Sequence, residues 1–181
     1  MNQAVPETAA EMAAVGVSRI ALGVEYKGSR YRGFQRQRAG VPSIQESLEN
    51  ALTRVAGGHP VTLSCAGRTD ALVHASGQVV HFDTPVERSM HAWVMGANMN
   101  LPPDISVTWA KKMPPHFDAR FSAMARRYRY VIYNDQIRPA HMAEEVTWNH
   151  RPLDIERMRA AAAALVGTHD FSAFRARRSE E

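Results

Sequence analysis

Cysteine occurs once, as Cys65, in a chain of 181 residues. No internal disulfide framework is available, and a reducing compartment fits this usage. Long apolar runs are also missing: nothing approaches the roughly 18 to 20 residues that a membrane span needs. The first 17 residues are rich in Ala and Glu and have neither a basic nor an apolar signal region. They read as a mobile arm, and a cytoplasmic location is the expectation. The eight histidines never take His-x-x-x-His or His-x-x-Glu-His spacing. With a single thiol, no metal site is expected. Gly-x-Ser-x-Gly, Gly-x-Gly-x-x-Gly and phosphate-loop patterns are absent too, so neither triad hydrolysis nor a nucleotide cofactor is implied.

What the chain does have is positive charge in two places. Lysine and arginine number 22 against 18 acidic residues, a net charge of +4. The excess gathers in Lys27-Gly28-Ser29-Arg30-Tyr31-Arg32-Gly33-Phe34-Gln35-Arg36-Gln37-Arg38 and in Arg126-Arg127-Tyr128-Arg129-Tyr130. Both runs interleave cations with aromatics, a mixture suited to phosphate contacts and base stacking. The plainer reading of either run alone is a solvated face over core aromatics.

Hydrophobic periodicity gives the element order. Arg19 to Tyr26 alternates, with Ile20, Leu22, Val24 and Tyr26 on one face, as in a half-buried strand. Ser43-Ile44-Gln45-Glu46 forms a capping box ahead of Ile44, Leu48, Ala51, Leu52 and Val55 at helical spacing, and Gly57-Gly58 stops that helix. Strands follow over Val61–Ala66 and Gln78–Phe82. A second helix is capped by Ser89, and a further strand runs over Ile105–Trp109. The order β-α-β-β-α-β predicts an α+β fold, an antiparallel sheet of ferredoxin-like topology with two helices on one face. The first domain is read as 18–115 and a second as 116–181. The second contains an alternating stretch over Arg126–Tyr133. Its helix is capped by Asp154, stapled by Leu153 and Met158, and runs to Gly167. One strand and one helix cannot close a core, so this half is expected to be incomplete or completed by another chain.

Between the two middle strands lies Gly67-Arg68-Thr69-Asp70-Ala71-Leu72-Val73-His74-Ala75. The connection exceeds the two to five residues of a simple hairpin and carries an Arg, an Asp and a His. Asp70 could act as a lone nucleophilic carboxylate, with Arg68 holding an anion. Alternatively, Arg68 and Asp70 pair structurally, Asp70 caps a turn, and His74 packs beneath the loop.

That stretch resembles the signature of the tRNA pseudouridine synthase A family. The resemblance continues, in the same order, through Tyr31-x-Gly33-Phe34-Gln35-Arg36-Gln37, Ser43-Ile44-Gln45-Glu46 and Gly77-Gln78-Val79-Val80-His81-Phe82. Asn98 with Leu101-Pro102, Phe117-Asp118-Ala119-Arg120-Phe121-Ser122-Ala123, Arg126-Arg127-Tyr128-Arg129-Tyr130 and Asp170-Phe171-Ser172-Ala173-Phe174-Arg175 complete it. It implies the pseudouridine synthase fold and isomerisation of uridine at tRNA positions 38 to 40, in the anticodon stem-loop. It also implies no metal or organic cofactor, tRNA as partner, and a homodimer. By the same likeness Asp70 is the catalytic carboxylate, Arg68 orients it, and Tyr128 stacks on the uracil. Arg36, Gln37, Thr69, His74, Arg126, Arg127 and Arg175 are implied as substrate contacts. Leu72 stands where the family usually has Gly. If that position takes a positive φ, the leucine strains the loop by about 1 to 2 kcal/mol. The family also continues well past Arg175, which implies a chain truncated in its second half. An RNA-binding module without turnover is the competing reading, and a metal-dependent hydrolase a distant third.

Overall fold

The computed structural model describes residues 16–38 and 40–174. Almost all of the expected N-terminal arm lies outside the described residues, as does Arg175. The chain forms two compact units, one through Tyr128 and one from Arg129 onward. The segment from His116 to Tyr128, read from sequence as part of the second domain, therefore belongs to the first unit.

The first unit follows the element order read from the sequence. Strand β1 spans Ser18–Tyr26, helix α1 Ile44–Val55, β2 Ser64–Cys65, β3 Ala75–Thr84, α2 Met90–Asn100 and β4 Ile105–Met113. The sheet runs β2-β3-β1-β4, and every pairing is antiparallel. Leu22 sits opposite Val80 on one side and Ala110 on the other, which places β1 at the centre. Ile20, Leu22, Val24 and Tyr26 are in the core as their alternation predicts, but Ala21 and Gly23 on the other face are buried too, so β1 is covered on both faces over Ile20–Val24 rather than half-buried.

The helices start and stop where their chemistry dictates. Ser43 Oγ accepts the Glu46 N–H at 3.3 Å, and Ser89 Oγ accepts the Ala92 N–H at 3.1 Å. After α1 the chain turns through Gly57 and Gly58 at φ 68° and 96°. Their N–H groups return to the carbonyls of Arg54 and Thr53, a pairing that a residue free to adopt positive φ makes cheaply. Trp93 of α2 is fully buried edge-to-face with Phe82 of β3, at 5.1 Å between centroids. Asn98, near the end of α2, bonds both backbone groups of Val107 at 2.8 Å and so ties the helix to β4.

Two strands depart from the sequence reading. Val61–Ala66 shortens to Ser64–Cys65 because α1 side chains take the donors that a ladder would use. The Val61 N–H goes to Thr53 Oγ1 at 3.1 Å and the Leu63 N–H to Glu49 Oε1 at 3.0 Å. The alternating run over Arg126–Tyr133 is not a strand until Ile132, because its earlier residues have no strand beside them among the described residues.

In the second unit, β5 (Ile132–Asn134) and β6 (Thr147–Asn149) pair in parallel. Helix α3, Ile155–Ala163, is capped by Asp154, whose carboxylate accepts the Arg157 N–H at 3.0 Å. The helix ends at Ala163, short of the expected Gly167. None of its residues is buried, and Met158, the expected staple partner of Leu153, is 43% exposed.

Candidate active site

The Asp-bearing loop is built on the ends of β2 and β3 and gripped along its length. The Ala66 N–H bonds the Val79 carbonyl at 2.8 Å, and the Gln78 side-chain amide donates to the Gly67 carbonyl. Thr69 is held twice: its hydroxyl lies 2.8 Å from Tyr26 Oη, and its carbonyl accepts the Phe34 N–H at 3.0 Å. The Gly28 N–H donates to His74 Nδ1 at 3.2 Å. Two glycines of the basic segment permit this closeness. A Cβ on Gly28 would stand 2.1 Å from the Val73 carbonyl oxygen, and one on Gly33 would stand 2.9 Å from that of Thr69.

The tip of the loop is a turn in which the Val73 N–H returns to the Asp70 carbonyl at 3.3 Å. Its third residue is Leu72, at φ 68°, the one non-glycine with positive φ among the described residues. That geometry ordinarily selects glycine. The leucine side chain is 62% exposed and so gains little burial in return. Leu72→Gly is therefore expected to raise the urea midpoint by the equivalent of about 0.5 to 1 kcal/mol, relief of strain minus the entropy of glycine. A lower midpoint would mean that the leucine packs against something that outweighs its strain.

Against this frame, the expected site residues divide into two groups. Asp70 and Arg68 are exposed, and among the described residues neither side chain forms a hydrogen bond or an ion pair with the other. The structural Arg68–Asp70 pair considered above is thus absent. Tyr128 is 72% exposed, and its hydroxyl lies 3.9 Å from where a Cβ on Gly67 would be, beside the loop. Arg127 is exposed too.

The other expected residues are bonded to protein groups, although Arg36, Gln37 and Arg126 are also exposed. Arg126 Nε donates to the Ala66 carbonyl at 2.9 Å, with Nη2 on the same oxygen and on that of Arg120. Arg36 pairs with Glu49 at 3.3 Å and reaches Glu46 at 4.0 Å. Gln37 Nε2 donates to the Arg32 carbonyl at 2.6 Å. Thr69 and His74 are occupied by Tyr26 and Gly28, so His74 does support the loop from beneath.

Several supporting residues carry no signal in the sequence pattern. Glu49 is buried, and its carboxylate gathers Gln45, Leu63 and Arg36. Burial pushes the Cys65 thiol up despite the opposing charge of Arg68. At the end of β1 remote from the loop, Arg19 forks onto Asp83 at 2.7 and 2.6 Å while Nη1 holds the Pro115 and Phe117 carbonyls. His81 Nδ1 accepts the Ala119 N–H at 3.1 Å, which fixes the segment that leads to Arg126.

This last bond makes a pH prediction. Burial, then the charge of Arg19, lowers the His81 pKa from the ordinary 6.5, although Asp118 and Asp83 oppose them. The unfolded chain therefore takes up this proton first. Stability tied to neutral His81 is complete above about pH 6.5 and declines as pH falls below it. Burial favours the neutral form of Asp118, but the N–H groups of Phe121 and Arg120, with His81 and Arg19, hold it below 3.8. Its contribution is lost only at still lower pH. Thermal melts should show a fall in Tm beginning near pH 6.5 that His81→Asn, which keeps an acceptor and does not titrate, lacks. Equal slopes for the two proteins would refute the assignment.

Two open depressions among the described residues, of about 390 and 310 Å³, share Ser18 and Lys112 at the far end of β1, and neither contains Asp70. Among the described residues, no group of three or more His, Cys, Asp or Glu could hold a metal ion. No helix among them is long and apolar enough to cross a membrane.

The Asp70 carboxylate is thus exposed, with no ion partner among the described residues, on a braced loop, and a carboxylate of this kind has the chemistry for nucleophilic or acid–base work. Residues 23–122 match the tRNA pseudouridine synthase family. The tRNA pseudouridine synthase A of Pseudomonas aeruginosa is 77% identical over 176 residues, covering 97% of this chain and 61% of the relative. That of Alcanivorax borkumensis is 57% identical over 159 residues, covering 88% and 59%. That of a Coxiella burnetii strain is 58% identical over 158 residues, covering 87% and 60%. The chain belongs to the tRNA pseudouridine synthase family. It spans about three fifths of the length of these relatives.

Proposed function

We propose that this chain isomerises uridine to pseudouridine in tRNA, at positions 38 to 40 of the anticodon stem-loop. The observation that carries the reading is the Asp70 carboxylate, exposed and without an ion partner among the described residues, on a loop whose flanking residues are fixed, in a chain of this family. Asp70 attacks the nucleotide, on C6 of the uracil or on the sugar. The N1–C1′ bond breaks, the base turns, C5 bonds to C1′, and the bond to the Asp70 carboxylate breaks to release it. The C5 proton leaves and N1 gains one, so the product is an isomer and no metal or organic cofactor enters the scheme. Arg68 orients Asp70 and fills the space the base vacates, while Tyr128 stacks on the uracil.

A uridine in a paired stem must leave the stack to reach Asp70. Arg68 and Arg127 supply phosphate contacts whose affinity falls with salt. Arg126, Thr69, His74, Arg36 and Gln37 serve substrate binding indirectly, by shaping the two loops. Strand order and element order support a ferredoxin-like module, and the family likeness implies a homodimer and a cytoplasmic location. The test is tritium release from tRNA carrying C5-labelled uridine: the chain releases label and Asp70→Ala does not. One observation favours tRNA binding without turnover: α3 buries no residue, so the second unit does not close a core of its own. Bound tRNA with no release from the wild type would establish that alternative.

A further inference from the structure

Tyr26 carries a buried hydroxyl that the proposed reaction leaves unused. The residue is 4% exposed at the end of β1, and its Oη lies 2.8 Å from Thr69 Oγ1. The Gln78 amide donates to the Gly67 carbonyl on the same loop. Gly67 and Thr69 flank Arg68, and Thr69 immediately precedes Asp70.

The strand register explains how both side chains reach one loop. Val24 pairs with Gln78, but Tyr26 pairs with Ala75, so β3 carries one extra residue at this step. A bulge of this kind re-aims side chains and is common beside active sites. The Tyr26 ring also packs on Phe34, at 6.2 Å between centroids, and Phe34 donates its N–H to the Thr69 carbonyl. Thr69 is therefore fixed through its side chain and its backbone by one pair of neighbouring, tilted rings.

We propose that Tyr26 is a positioning residue for Asp70, acting through Thr69 to fix the direction in which the carboxylate projects. The inference rests on the proposed reaction and deepens it. Its test is a set of variants of the full chain: Tyr26→Phe, which keeps the ring and deletes the hydroxyl, Thr69→Val, Thr69→Ser and the double Tyr26→Phe/Thr69→Val. Tritium release should show kcat lowered about 10- to 100-fold in the first two, with KM within about twofold. Thr69→Ser, which keeps the hydroxyl, should recover most of the rate. The double variant should be no slower than the slower single, because both remove the same bond. Amide exchange over 68–73 should quicken about tenfold in Tyr26→Phe while Leu22 and Val80 in the ladder keep wild-type protection.

An unchanged kcat in Tyr26→Phe, multiplying effects in the double, or unaltered loop exchange would overturn the role. If the wild type itself releases no tritium, the reaction fails on its own. Exchange then decides Tyr26 separately: quickened loop amides retain its positioning role, and unchanged ones remove it.

Discussion

Asp70→Asn should bring tritium release to background, a loss of at least about 10³-fold, while tRNA affinity stays within about threefold. The asparagine is nearly isosteric and keeps the loop's backbone bonds, none of which uses the carboxylate: the Val73 N–H goes to the main-chain carbonyl of residue 70. What it removes is the negative charge and the nucleophilic oxygen. Because the side chain is exposed and has no ion partner among the described residues, no buried cation is left unpaired. Stability should therefore move by less than about 0.5 kcal/mol. Affinity for a polyanion should hold or rise slightly, since one repulsive charge disappears. The measurements are single-turnover tritium release and filter binding at several salt concentrations. Retained release would remove Asp70 from the chemistry.

The contrast between Asp70 and Arg36 shows where sequence reasoning runs out. Both stand out as charged residues in polar loops, and nothing local tells them apart. Asp70 has no ion partner among the described residues, because its neighbours' bonds are satisfied by backbone and hydroxyl groups. Arg36 is engaged because α1 brings a buried Glu49 within 3.3 Å of it. Ion pairing across such a distance in sequence is invisible to charge counting. The same carboxylate accounts in part for the shortened β2, since it takes the Leu63 N–H that a ladder would otherwise use.

By comparison, β1, α1 and α2 were legible because their signals are local: an alternating face, a Ser43–Glu46 cap, a Gly57-Gly58 stop. Tyr26 lies between these cases. Alternation correctly puts its ring in the core. The partner of its hydroxyl depends on a register shift in β3 that no periodicity marks. Leu72 was legible only against the glycine expected there, and its φ of 68° bears out the conformational reason for that expectation.

Gly28→Ala should produce the second large effect, and without unfolding the chain. The added methyl would stand 2.1 Å from the Val73 carbonyl oxygen and 2.6 Å from its carbon, both backbone atoms with no rotamer to change. Something must move by an ångström or more. The candidates are the basic segment and the Asp70 loop, since β1 and the core behind it are close-packed. Either shift breaks the Gly28 N–H bond to His74 and the contact that seats residues 69–73. A misplacement of about 1 Å at a reacting group can cost about 100-fold in rate. Gly28→Ala should therefore lose about that much kcat while Tm falls by only a few degrees.

Gly40→Ala is the control. Gly40 has a positive φ but nothing within 4 Å of its added Cβ, so strain without collision should lower Tm slightly and leave kcat within about twofold. If Gly28→Ala instead melts far below the wild type, the basic segment is a pillar of the core rather than a brace for the loop. If it keeps full activity, the two loops are not mechanically joined, and Asp70 owes its position to Thr69 and Tyr26 alone.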